Sequence, residues 1–205
     1  YLQSGGLDSI FALEEGFGDL SYEVNDIRIG FSPTDFTQIN PSVNKLMVAK
    51  VMSLLEVAEK DFILDLFCGI GNFSLPVAAI GAKVKGVELD EAMVARAKQN
   101  ARLNRIKNYS FECLNLQRAP DIKSLDISRV NKILLDPPRS GCNEVLSEMN
   151  LKSVKKVVYV SCNPITFARD AAVLNRLHHF ELKEVGVLNM FPHTSHFECV
   201  GSFER

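Results

Sequence analysis

From Phe62 onward the sequence keeps changing period, and few architectures can satisfy that rhythm. Short apolar runs suited to buried strands are Phe62–Phe67, Lys83–Glu88, Tyr109–Cys113, Val130–Leu135 and Val157–Ser161. Between and after them lie helical patterns over Asn72–Ile80, Glu91–Asn104, Asn143–Met149 and Pro164–Leu177. Strands alternating with helices predict a mostly parallel sheet covered on both faces, an α/β fold. Two last strand-like runs, Phe180–Leu188 and Phe197–Phe203, have no helix between them and predict an antiparallel addition at one edge. Upstream, Asn40-Pro41 opens a helix over Ser42–Val57, and Tyr22–Ile29 alternates loosely like a strand. Gly5-Gly6 and Gly16-Phe17-Gly18 mark an irregular start.

Composition narrows the partners. The 205 residues carry a net charge of -2, with 46% hydrophobic and 23% charged residues, which suits a globular chain. No global basic field advertises nucleic acid, so an RNA partner needs a local patch or a further domain. The five cysteines, Cys68, Cys113, Cys142, Cys162 and Cys199, form no C-x-x-C pair, which favours a reducing compartment over a disulfide framework. No apolar run reaches membrane-spanning length and the start lacks a secretory pattern, so a cytoplasmic location without membrane association is expected. The chain begins without methionine. The expected organisation is a remnant or linker over 1–30 and one catalytic domain over 31–205.

The run Asp65-Leu66-Phe67-Cys68-Gly69-Ile70-Gly71-Asn72 follows the first strong strand and opens a helix. It contains G-x-G but lacks the third glycine of the dinucleotide fingerprint, which disfavours NAD. Glu88 ends the next strand, where an acid can accept hydrogen bonds from both ribose hydroxyls. S-adenosylmethionine has no pyrophosphate and manages with a shorter glycine loop, and Asp65 is expected to face its ammonium or the waters around it. The alternative is a tight turn and an unrelated strand-end acid. Asn115 suits either an adenine contact or a turn.

Cys162 lies between a strand's carboxyl end and a helix opened by Pro164, where open α/β sheets place their ligands. Helix amides and dipole there favour the thiolate, the nucleophilic form, although a small buried cysteine fits the same place. Asp136-Pro137-Pro138-Arg139 ends another strand in a stiff loop at the same sheet edge. Arg139 stands where amino-methylating enzymes carry a base-stacking aromatic, which counts against amino-group chemistry. His193, His196, Glu198 and Cys199 offer metal-ligand types with no scaffold to hold them, so no metal is expected. Glu198, beside an aromatic at the start of the last strand, is placed to serve as a general base.

These segments resemble the RNA (uracil-5-)-methyltransferases. The resemblance is carried by Phe31–Asn40, Asp65–Phe73, Leu135–Gly141, Val160–Pro164 and Asn189–Glu198, in the family's order. Asn72-Phe73 and Ala168-Arg169-Asp170 resemble one branch that acts on 23S ribosomal RNA more than its sister branch, and the branch acting on transfer RNA stays open. The resemblance implies a Rossmann-like S-adenosylmethionine-dependent methyltransferase fold and methylation of carbon-5 of a specific uracil in 23S ribosomal RNA through a covalent cysteine–uracil adduct. It assigns Cys162 as nucleophile and Glu198 as general base. Gln38, Phe67, Asn72, Glu88, Asn115 and Asp136, with Asp65 and Gly69, are then expected to line the S-adenosylmethionine and substrate pocket. The same chemistry on another ribosomal or transfer RNA uracil, or a weakly active cofactor-binding fragment, are the alternatives.

The family's enzymes carry an N-terminal RNA-binding barrel and a central domain, and neither is matched in this chain. Ribosomal RNA is therefore expected to bind weakly, since phosphate contacts supply much of such affinity. The resemblance also implies an iron–sulfur cluster, with its cysteines in the N-terminal part that precedes the segments matched here. No obligate protein partner is evident.

Overall fold

The computed structural model describes residues 1–6, 9–13 and 20–205. The glycines of Gly16-Phe17-Gly18 lie outside the described residues. Strands β1 (Leu2–Gln3) and β2 (Ile10–Phe11) make a small antiparallel pair. The stretch from Tyr22 to Ile29, expected to be one strand, is a hairpin of β3 (Ser21–Val24) and β4 (Ile27–Gly30). Asn25 and Asp26 form its two-residue turn with φ of 48° and 62°, the left-handed pair that matches strand twist.

Helix α1 (Pro41–Leu55) is capped by the Asn40 side chain, which accepts from Val43 N, and has proline in its first turn. The alternation then unfolds as β5 (Phe62–Leu66), α2 (Ser74–Ala79), β6 (Lys83–Glu88), α3 (Glu91–Leu103), β7 (Tyr109–Cys113), α4 (Ala119–Ser124) and β8 (Lys132–Leu135). It ends with α5 (Asn143–Glu148), β9 (Lys156–Ser161), α6 (Pro164–His178), β10 (Glu181–Leu188) and β11 (Glu198–Glu204). Helix α4 had no clear sequence signal: it is one short turn and a half with a single buried residue, Ile122, so no apolar stripe marks it.

Seven strands form one sheet in the order β10-β11-β9-β8-β5-β6-β7. The strands β5 to β9 are mutually parallel. The closing strands differ from a simple antiparallel edge. β11 inserts between β9 and β10 and is antiparallel to both, so β10 runs with the parallel strands. A short loop from β10 can only turn back, and the available partner is the free edge of β9.

Alternate strand residues feed two cores. Ile63, Val84, Leu134, Val158 and Val160 face α1, α2, α3 and the β3–β4 hairpin. Leu64, Val87, Ile133, Val157 and Tyr159 face α4, α5 and α6. The hairpin belongs to the first core: Val24 and Ile29 are fully buried, and the Asn100 side chain bonds both the N–H and the C=O of Gly30. Among the described residues no helix is long and apolar enough to cross a membrane.

Candidate active site

The strand order reverses between β5 and β8, and parallel sheets open a crevice at that point beyond their carboxyl ends. A cavity of about 560 Å³ lies there. Gln38, Phe67, Gly69, Glu88, Asn115, Asp136, Cys162 and Glu198 all line it, with Arg139 and Phe191. Eight residues singled out in the sequence thus share one space, although 160 residues separate the first from the last.

The loop after β5 shapes one wall. Phe67, Gly69 and Gly71 take φ of 66°, 52° and 94°, so the chain turns sharply and the glycines are conformationally required at the last two. An added Cβ at Gly69 meets nothing within 4 Å, so its exposed face is open to a ligand. The turn is tied to β6: Phe67 N and Cys68 N both donate to Val87 O, at 2.9 and 3.1 Å, and Gly69 N donates to the Glu88 carboxylate at 3.0 Å. The second Glu88 oxygen accepts from Leu89 N at 2.7 Å and Asp90 N at 3.2 Å. Glu88 is therefore held as an acceptor at the cavity floor. Leu89, Met93 and Leu116 add an apolar surface beside it. Asn115 is positioned from behind, its side-chain oxygen accepting from Gln117 N at 2.9 Å.

Two expected contacts are placed differently. Asp65 does not line the cavity. It is 1% exposed on β5, one oxygen takes the Ser74 hydroxyl hydrogen bond, and the other finds no partner among the described residues. Strand alternation turns it into the packing beneath the glycine loop. Burial pushes its carboxyl up to about 7, opposed by the Ser74 bond and reinforced by the charge of Glu88. Asn72 lies on a small adjoining cavity of about 40 Å³. Its amide exchanges hydrogen bonds with Asn44 at 2.8 and 3.0 Å and accepts from Tyr22 O–H at 2.9 Å. It braces the loop against α1 and the hairpin.

Cys162 sits at the opposite wall, half-buried, between β9 and α6. The next residue, Asn163, caps α6 by accepting from Ile165 N at 3.0 Å. Cys199 of β11 pairs with Ser161 of β9, so Glu198 and Cys162 emerge side by side at the same end of the sheet. Glu198 is 4% exposed, and burial pushes its carboxyl up to about 7 against the pull of Arg139. Burial, then the charges of Glu198 and Asp65, hold Asp136 well above the usual carboxylate range.

The thiol departs from expectation. Helix amides led us to expect a stabilised thiolate, but burial and the charges of Glu198 and Asp136 push the Cys162 thiol up, outweighing the pull of Arg139. Burial is the largest cause, and the carboxylates that add to it come from elements distant in sequence. Arg139 lines the cavity with Cys162, and its positive charge opposes the rise of the thiol. It also shares with Cys162 a second cavity of about 250 Å³, bounded by Asn163, His196 and Phe197.

Sequence reading missed Phe36, Leu89, Met93 and Phe191 in the large cavity. The position of Met93, in the first turn of α3 just after Glu88, was the available signal. Among the described residues, His193, His196, Glu198 and Cys199 do not assemble, and no group of three or more His, Cys, Asp or Glu could hold a metal ion.

Comparison with known proteins follows the same line. The family model described as tRNA (Uracil-5-)-methyltransferase matches residues 11–205. A protein of Legionella pneumophila (strain Paris) named 23S rRNA (uracil(1939)-C(5))-methyltransferase RlmD is 44% identical over 209 residues, covering 100% of this chain and 47% of the relative. A protein of the same name from Francisella tularensis subsp. novicida (strain U112) is 45% identical over 212 residues, again with 47% of the relative covered. The chain spans about half the length of the curated relatives it matches. Among solved structures, Pyrococcus abyssi tRNA (uracil-54, C5)-methyltransferase, in complex with S-adenosyl-L-homocysteine, superposes with a TM-score of 0.79 at 30% identity, over 92% of this chain and 45% of that one. Trm5b from Pyrococcus abyssi, at 14% identity and a TM-score of 0.71, shares the fold. With its methyltransferase sheet, glycine loop and cysteine-bearing strand end in the order the family model matches, the chain belongs to the tRNA (uracil-5-)-methyltransferase family.

Proposed function

We propose that this chain transfers a methyl group from S-adenosylmethionine to carbon-5 of a uracil in RNA, with Cys162 as nucleophile and Glu198 as general base. The observation that carries this reading is the meeting of Cys162 and Glu198 in one cavity with the Gly69–Glu88 floor. The residues fit the cofactor. The open face of Gly69 admits close approach, Glu88 offers acceptors for ribose hydroxyls, and the apolar wall of Leu89, Met93 and Leu116 suits adenine. When bound, S-adenosylmethionine supplies an electrophilic methyl group and a positive sulfonium.

Cys162 performs the activation. Its sulfur bonds to carbon-6 of uracil, and the carbon-5–carbon-6 electron pair moves onto the ring oxygen as an enolate. Carbon-5 then bonds the methyl group, whose former bonding pair stays on the donor sulfur. Glu198 takes the proton from carbon-5, the ring double bond re-forms, and the thiolate leaves. Arg139, beside the thiol, favours the anionic sulfur at the start and end of the cycle. Proton removal requires the ionised form of Glu198, which the charge of Arg139 favours.

The substrate supported best is 23S ribosomal RNA, because the relatives of that name are 44–45% identical along the whole chain. The structural neighbour named for a transfer RNA uracil is 30% identical and supports the same chemistry on another RNA. RNA engagement by this chain alone is expected to be weak, and the iron–sulfur cluster that the resemblance implies belongs to the region outside the matched half.

The test is a covalent trap. The chain is incubated with S-adenosylmethionine and RNA hairpins carrying 5-fluorouridine in ribosomal or transfer RNA sequence context. Fluorine cannot leave as a proton, so an adduct should persist in the intact mass and map to Cys162. Cofactor binding without any adduct at saturating RNA would overturn the assignment of the nucleophile.

A further inference from the structure

We propose that Asp170 is a positioning residue for Cys162: through Arg169 and the Ser140–Cys142 backbone it pins the Asp136–Gly141 loop to α6 and so holds the Arg139 guanidinium against the Cys162 thiol. This rests on the reading of Cys162 as nucleophile and explains the Ala168-Arg169-Asp170 segment, which does not reach the cavity.

Asp170 is fully buried. One of its oxygens accepts from Cys142 N and from Tyr159 O–H, both at 2.7 Å. The other accepts from Arg169 Nε at 2.9 Å. Arg169 Nη2 in turn donates to Ser140 O at 2.8 Å. The carboxylate thus gathers β9, through Tyr159, and the loop after β8, through residues 140 and 142, onto α6. Cys162 lies three residues beyond Tyr159, between these same elements.

The loop is closed on this anchor. Gly141 has φ of 76°, donates to Pro138 O at 2.8 Å, and packs so closely that an added Cβ would come within 2.5 Å of both Asp170 Oδ2 and Arg169 Nη2. At the other end Arg139 O accepts from Asn163 Nδ2 at 3.0 Å and Thr166 Oγ1 at 3.2 Å. The backbone of Arg139 is therefore bound to the residue that follows Cys162 and to the first turn of α6. A buried charged network contributes little net stability over apolar packing, but its directional bonds fix geometry. Here the geometry fixed is that of the loop carrying Arg139, which lines two cavities together with Cys162 and whose charge opposes the rise of the thiol. The charged groups facing Cys162 are Glu198 from β11, and Asp136 and Arg139 from the loop. Glu144 and Tyr159 face Arg169.

The experiment reads the thiol directly. Iodoacetamide alkylation of Cys162 is followed across pH by peptide mass mapping in the wild type, Asp170→Asn, Arg169→Met, Arg139→Ala and the Arg139→Ala/Asp170→Asn pair. The melting temperature of each is recorded. Each single variant should move the Cys162 midpoint upward by on the order of one pH unit, about a tenfold slower reaction at neutral pH. The double variant should move it no further than Arg139→Ala alone, and S-adenosylmethionine affinity should be unchanged in Arg169→Met. Folded Asp170→Asn and Arg169→Met proteins that titrate like the wild type would overturn the proposal, as would additive shifts in the pair. If Asp170→Asn does not fold, Arg169→Met decides alone, since that side chain is 46% exposed and its loss spares the core. Shifted midpoints in a protein that methylates no uracil would uphold the positioning role and sink the functional reading instead.

Discussion

Cys199 of β11 pairs with Ser161 of β9, so Glu198 and Cys162 are each one residue beyond that pair on neighbouring antiparallel strands. Alternation then gives their side chains the face opposite to that of Ser161 and Cys199, both of which are buried. The inserted strand thereby delivers a carboxylate beside the thiol without any loop having to carry it. A base built on a strand is better fixed than one on the exposed Pro192–His196 segment nearby.

Removing the thiol removes the covalent step. Cys162→Ala should lower methyl transfer by more than about a thousandfold and abolish the 5-fluorouridine adduct. S-adenosylmethionine affinity, measured by calorimetry, should stay within a few-fold of wild type. Residual turnover at even a tenth of the wild-type rate would rule out covalent catalysis.

Glu198→Gln separates methylation from release. The methylated adduct should accumulate, because its carbon-5 proton has no acceptor, and turnover should fall by about a hundredfold to ten-thousandfold. Intact mass spectrometry on ordinary uridine RNA distinguishes this from a simple loss of binding, in which no adduct would form.

The rate should rise with pH through the neutral range. Glu198 holds its proton up to about 7, and only its ionised form can accept one. Burial lifts the Cys162 thiol in the same direction, so both groups gain their working form as pH increases. Turnover should fall about tenfold per unit where only the thiol protonates and about a hundredfold per unit below neutrality, where both groups do. Stability runs the other way. A carboxyl whose folded pKa is raised is bound more tightly to its proton in the native state, so its contribution is present at low pH and lost between the ordinary value of 4.5 and about 7. Glu198→Gln should remove a loss on the order of 3 kcal/mol over that window, read as a flatter melting profile against pH.

Glu88→Ala should weaken S-adenosylmethionine by about tenfold to a hundredfold, the worth of one or two charge-assisted hydrogen bonds. It also frees Gly69 N, so the glycine loop loses its tie to β6. Equal affinity in the variant would show that the ribose lies elsewhere.

Gly86→Ala tests the packing under the loop. A Cβ there would collide with the Phe111 ring and come within 2.8 Å of Cys68 Sγ. Crowding the buried Phe111 and Cys68 side chains should cost about 1–3 kcal/mol, seen as a lower melting temperature.

Much of the architecture could be read locally. The strands β5 and β6 and the helices α3 and α6 announce themselves through period and caps, such as Asp90 accepting from Ala92 N and Asn163 from Ile165 N. Helix α4 and the Leu151–Ser153 turn are too short to show a period. The hairpin of β3 and β4 read as one strand because its turn, Asn25-Asp26, lacks glycine.

The parallel sheet, its glycine turn and the residues with reactive side chains are legible in residue order, because strand period, helix caps and turn preferences are set by near neighbours along the chain. That β11 enters beside β9, and so brings Glu198 to Cys162, emerges from three-dimensional packing. That packing alone turned Asp65 away from the cavity and committed Asn72 to Asn44 and Tyr22. It also set the protonation of the thiol, because desolvation and charge act through space, and the groups that impose them on Cys162 come from loops and strands far apart in the chain.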